Sequence, residues 1–158
     1  FIWTAVREEI AKALGALSAR LRTNRLSWWG VAVLVGASFG FLERVTYWMN
    51  WTPEFLASFT PLAAVALDTL AVIAHAAMCV LSVALARTLG GGFIGWSAGI
   101  ATAGALHAAN NLLPRFIDLG FDYAWQFVVA AIMITILIRT FVLRDRIEQR
   151  FNRLSQRA

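Results

Sequence analysis

Four apolar runs, at 26–49, 61–86, 91–113 and 123–143, take up most of this 158-residue chain. Each matches the roughly 20 residues that a helix needs to cross the hydrocarbon core of a bilayer. Runs of that length leave few folds open, because in lipid every backbone N–H and C=O must be satisfied inside the segment, as a helix does. The composition agrees: 59% of residues are hydrophobic, 15% are charged, and the mean hydropathy is +0.66. A soluble domain carries about 45–50% apolar and about 25% charged residues. Seven Trp suit a chain with two lipid–water interfaces to line. These figures fit neither a disordered, a collagen-like nor an ordinary soluble chain, and they predict an integral membrane protein.

A fifth run, 1–19, is helical in pattern but carries Glu8, Glu9 and Lys12 in its middle. The expected fold is therefore all-α: a polytopic transmembrane helix bundle of about five crossings. Turn signals join the runs at Asn50-Trp-Thr-Pro53, Gly90-Gly-Gly92 and 114–120, and no connection is long enough to form a second domain. The chain begins with Phe1 rather than Met, so further residues are expected to precede it in the natural protein. The single cysteine, Cys79, sits inside an apolar run; it excludes an intrachain disulfide and reads as a packed core thiol.

The net charge of +5 does not point to nucleic acid, because it is clustered at the ends of the apolar runs. Arg20, Arg22 and Arg25 form one group, and Arg144, Arg146, Arg150, Arg153 and Arg157 another. Such groups anchor the cytoplasmic side against anionic headgroups of the lipid bilayer. Placing the first group inside puts 50–60 outside, Arg87 inside, 114–122 outside and the C-terminus in the cytoplasm. Residues 1–143 then form the bundle and 144–158 an Arg-rich tail. Leu143, Ile147, Phe151 and Leu154 make one stripe of that tail, which predicts an amphipathic helix lying on the cytoplasmic leaflet. Gly36-x-x-x-Gly40 and Gly95-x-x-x-Gly99 have the spacing that lets helix backbones approach closely.

Polar residues inside the runs carry the functional signal. Glu8, Glu9, Lys12, Glu43, Arg44, Asp68, His75, His107, Asn110 and Asn111 all interrupt apolar sequence. A charged group near the bilayer centre costs about 2.5–3.5 kcal/mol on insertion scales, so such residues face a bundle interior or a wet cavity and mark function by default. With a rise of about 1.5 Å per residue, Glu43 and His107 each lie about 10 Å below the outer surface. Glu8 and Glu9 fall at about 13 Å by the same rule. His75 comes out one or two turns deeper. Within the helices, His107 and Asn111 share a face; so do Glu8 and Lys12, which makes Lys12 the expected partner of Glu8. Arg44 and Asp68, at similar depth, are a candidate pair.

Two imidazoles and several carboxylates from different helices can hold a Zn²⁺ with a position left open for water. Without a metal, a Glu can activate water while His and Asn donate to the oxyanion of a tetrahedral intermediate. Either arrangement is a hydrolase inside the membrane. No Ser or Cys nucleophile with an obvious base is present, and Gly90-Gly-Gly92 reads as a turn, not a phosphate loop.

At these residues the sequence resembles the PrsW family of intramembrane proteases, relatives of the type II CAAX prenyl endopeptidases. Glu8-Glu9-x-x-Lys12 is similar to the EExxK motif, and Phe39-x-x-x-Glu43 to FxxxE. His75-Ala76 and His107-x-x-x-Asn111 are similar to the last two motifs, in the family's order. The resemblance implies hydrolysis of peptide bonds in membrane-anchored protein substrates, such as anti-sigma factors, in a prokaryotic cytoplasmic membrane. It implies that Glu8 and Glu9 provide the water-activating carboxylate, with Glu43 standing where CAAX proteases have a His. His75 and His107 become metal ligands or oxyanion donors, supported by Asn111; a metal set would be His75, His107 and Glu43. The cofactor is zinc, or none if the mechanism is of the glutamic type. The same superfamily holds the non-catalytic Aph-type subunit of gamma-secretase, so the alternative is an inactive PrsW-like scaffold with partners in a larger membrane complex. An ion or proton pathway is a third reading, disfavoured by the lack of repeats or broken-helix pairs.

Overall fold

A computed structural model describes residues 2–23, 26–50, 61–112 and 122–156. Its elements are all helices: α1 (Ile2–Arg22), α2 (Trp28–Asn50), α3 (Pro61–Thr88), α4 (Phe93–Leu112) and α5 (Asp122–Ser155). The expected all-α class stands, and no strand occurs among the described residues. Trp28–Asn50 and Ala64–Thr88 are long and apolar enough to cross a membrane. The turn signals read at 51–53 and 114–120 lie outside the described residues.

Local chemistry sets the helix ends. Ser27 caps α2, its Oγ accepting from Gly30 N at 3.1 Å, as an N-cap serine does for the third residue of a helix. The C-terminus of α3 closes through Gly90 and Gly91, at φ +90° and +75°. Gly91 N donates to Ala86 O at 2.7 Å and Gly90 N to Arg87 O at 3.2 Å, the bond pair of a Schellman cap. A side chain at these left-handed positions would be strained, which is why the turn is built from glycine.

The third helix is the hub: α2, α4 and α5 pack on it, and α1 lies against α4 and α2. Small residues make this possible. A Cβ on Gly36 would lie 2.6 Å from both Ala76 Cα and the His75 carbonyl oxygen, and one on Gly40 would lie 3.1 Å from His75 Cβ. On the other side of α3, a Cβ on Gly95 would lie 2.6 Å from Ala86 O, and Gly99 sits directly on the Ser82 carbonyl. Both small-residue motifs are therefore helix–helix contacts onto α3. One core cluster joins Ala16, Trp29, Val31, Ala32, Cys79 and Val83; a second joins Ala74, Met78, Ala103, Val129 and Met133.

At one end of the bundle, Arg87 inserts between elements. Its Nε donates to Glu148 Oε1 at 2.7 Å, and its guanidinium lies 5.6 Å from the Trp28 ring and 3.9 Å from the Phe151 ring. Arg20 stands 5.9 Å from the same Trp28. The ends of α1 and α3, the start of α2 and the last part of α5 thus share one end. The helix α5 runs through 143 and 144 without a break. Of the apolar stripe, Ile147 packs on the first core cluster and Phe151 covers Gly91, while Leu143 and Leu154 are exposed.

Two glycines of α2 separate packing from propensity. Gly36→Ala should lower unfolding free energy by about 1–3 kcal/mol, since the methyl must displace backbone. Gly30→Ala, which meets only Ser27 Oγ at 3.5 Å, should raise it by about 0.5–1 kcal/mol through helix propensity. Thermal unfolding in detergent micelles reads both signs.

Candidate active site

Four helices deliver one polar cluster into the apolar interior. Glu8, Glu9 and Lys12 come from α1, Glu43 from α2, His75 from α3 and His107 from α4. Glu9, Lys12 and His107 are each 1% exposed and His75 is 4% exposed. Burial of that degree requires partners, and the partners are present. Lys12 Nζ donates to Glu9 Oε1 and contacts His75 Nδ1 at 2.8 Å. The same Glu9 oxygen meets His107 Nδ1 at 2.9 Å. His75 Nε2 meets Glu43 Oε2 at 2.6 Å. The two imidazole rings stand edge to face with centroids 5.1 Å apart.

Phe39 closes the cluster on the α2 side. Its ring lies 4.9 Å from the Lys12 ammonium and 5.6 Å from the His75 ring. It also lines an apolar groove with Leu34, Val35, Ser38 and Leu42. Phe39 and Glu43 are one turn apart, so a single face of α2 supplies both a wall and a carboxylate.

Glu8 and Glu43 form the more open edge, with side chains 24% and 21% exposed. Glu8 Oε2 lies 3.4 Å from His107 Nε2, yet it and Glu9 Oε2 are buried oxygens without a hydrogen-bond partner among the described residues. Orphaned buried acceptors of this kind are rare and ask for an explanation. Two trios offer ligand atoms within 4.8 Å of one another: Glu9, His75 and His107, and Glu8, Glu43 and His107. The first has the Lys12 ammonium bonded to two of its three members, which sets a positive charge against any cation. The second combines two carboxylates, one with an orphan oxygen, and an imidazole nitrogen. That donor set fits a zinc ion with a further position open.

Several sequence expectations need adjustment. Lys12 pairs with Glu9 three residues away, not with Glu8 four away; neighbouring turns offer both geometries, and the buried Glu9 has greater need of the charge. His75 is not one or two turns below the other residues, because its ring touches their level. That ring contacts Lys12 Nζ and Glu43 Oε2 directly and stands against the His107 ring. Within the expected metal set, Glu43 and His107 belong to the Lys12-free trio, while both nitrogens of His75 are already engaged. Asn111, half-buried one turn after His107, makes no hydrogen bond to the cluster among the described residues. Arg44 and Asp68 do pair, at 2.7 Å, and Trp48 Nε1 donates to the second Asp68 oxygen at 2.6 Å. The contact that sequence reasoning missed is Lys12 with His75, which no local spacing could signal across 63 residues.

The two adjacent glutamates should respond differently to loss of charge. Glu9→Gln leaves a buried ammonium uncompensated and should cost about 3–5 kcal/mol. Glu8→Gln, at the open edge with only one long ionic contact, should cost about 1 kcal/mol or less. Denaturant unfolding of the two purified variants reads the contrast.

Compared with known proteins, the chain matches no family model, no curated protein and no solved structure.

Proposed function

We propose that this chain is an intramembrane endopeptidase of PrsW-like type, which hydrolyses peptide bonds of membrane-anchored proteins. One observation carries the reading: helices from four parts of the sequence bring three carboxylates, two imidazoles and an ammonium together inside an otherwise apolar bundle. The placement in a membrane rests on the two helices of spanning length and on large apolar side chains exposed on all five helices, a surface that suits lipid better than water. Arg20 and Arg87 at one end of the bundle support five crossings with that end, and the C-terminus, in the cytoplasm.

In this reading Glu8 is the base. It accepts a proton from the attacking water as the water oxygen bonds to the peptide carbonyl carbon. Donors within the cluster stabilise the charge on the carbonyl oxygen, and Asn111, on the same face of α4 as His107, adds an amide donor. As the C–N bond breaks, the Glu8 carboxylic acid returns the proton to the leaving amine. Glu9 stays ionised beside Lys12 and holds His107. Were a zinc ion bound, Glu8 would hold it with Glu43 and His107 instead of acting as the free base, and the metal would supply Lewis acidity to the carbonyl and to water. Phe39 and the groove beside it offer an apolar approach for a hydrophobic substrate segment.

A second reading, an inactive scaffold subunit, draws on the pairing of Lys12 with Glu9 and His75, which a structural network would also show. The orphan oxygen of Glu8 favours the enzyme. Cleavage of a single-span substrate protein in vesicles should fall about 10²- to 10⁴-fold in Glu8→Gln, with folding preserved. Unchanged cleavage in that variant would remove Glu8 from the mechanism. Absence of cleavage in the parent protein, together with co-purifying subunits lost on mutation, would establish the scaffold instead.

A further inference from the structure

The cluster also determines where the imidazole protons sit. An ammonium has three donors and no acceptor. The 2.8 Å contact from Lys12 Nζ therefore requires His75 Nδ1 to be the lone-pair nitrogen. The proton of a neutral His75 must then be on Nε2, which is the atom 2.6 Å from Glu43 Oε2. The His107 ring is set the opposite way. Glu9, bound to the ammonium, is a carboxylate and can only accept, so the 2.9 Å contact at His107 Nδ1 requires the proton on Nδ1. In a neutral His107, Nε2 is then the lone pair, 3.4 Å from Glu8 Oε2 and inside the trio of Glu8, Glu43 and His107.

We infer that Lys12 is a positioning residue that holds the two histidines in opposite tautomers, so that His75 serves as an N–H donor and His107 Nε2 as the free basic nitrogen of the site. The two histidines then have different work. His75, with both nitrogens engaged, orients Glu43 and can lend its proton to a developing oxyanion. His107 presents a nitrogen lone pair to whatever enters between Glu8 and Glu43, whether a water proton or a zinc ion. Lys12 acts on both rings, through a direct bond to His75 and through the ionisation of Glu9 to His107. Its assignment as a positioning residue rests on the protease reading for its purpose, but the tautomers are a property of the folded chain alone.

Nitrogen-15 NMR of histidine-labelled protein in micelles tests this directly, because the chain has only two histidines and His107→Ala assigns them. The expected spectrum shows His75 protonated at Nε2 with a hydrogen-bonded Nδ1, and His107 protonated at Nδ1. Lys12→Arg should keep this pattern, and Lys12→Met should move the His75 Nδ1 resonance toward that of a free lone pair. Should Lys12→Met fail to fold, the parent and the Arg variant still decide the matter. Protonation of His75 at Nδ1, or the same tautomer on both rings, overturns the inference even in a protein that cleaves its substrate. The expected tautomers in a protein without protease activity would sustain it and overturn the protease reading alone.

Discussion

A buried ammonium has no tolerable resting place in an apolar interior unless a carboxylate reaches it, and this bundle is arranged around meeting that need. Lys12 and Glu9 are both 1% exposed, one helical turn apart on α1. Their pairing removes the net charge but leaves further donors and acceptors to be satisfied. Those are supplied from other helices: His75 on α3 accepts a hydrogen bond from the ammonium, and His107 on α4 donates one to the Glu9 oxygen. Glu43 on α2 then answers His75. The order of the helices around the cluster follows from this chain of obligations.

Meeting them requires α2 and α4 to come unusually close to α3, and glycine supplies the room. Gly36 and Gly40 press the α2 backbone onto the segment of α3 that bears His75, while Gly95 and Gly99 do the same on the other side near Ser82 and Ala86. Close approach without side chains adds dispersion contact and shortens the distance across which polar groups must meet. The charged and the small residues are thus parts of one arrangement. At the C-terminal end of α3, Arg87 performs a comparable service with Glu148, Trp28 and Phe151.

Much of this was legible in the sequence because it depends on short-range pattern. The apolar runs at 26–49, 61–86 and 91–113 correspond to α2, α3 and α4 within a few residues, and Gly90-Gly91 is the local signal that ends α3. The convergence of Glu8, Glu9, Glu43 and His107 was visible as a common depth. What escaped was set by contacts distant in sequence. Nothing local tells Lys12 to choose Glu9 over Glu8, and only the neighbouring His75 and His107 make Glu9 the better partner. The level of His75 is set by its contacts with Lys12 and Glu43, from two other helices. The packing of Ile147 on the core and of Phe151 on Arg87 joins residues more than fifty positions apart; an apolar stripe looks the same whether lipid or protein covers it.

The glycine contact on His75 carries a consequence for how such a chain can drift. With the α2 backbone seated against the His75 carbonyl and Cβ, that histidine has little room to swing. Side chains at Gly36 or Gly40 would fill no empty space; they would push α2 off the segment of α3 that bears His75, so stability and the placing of the imidazole fail together. The need for a folded bundle is by itself enough to keep both glycines. Their retention among descendants of this chain would therefore record the seating of two helices, independent of whether the polar centre is in use.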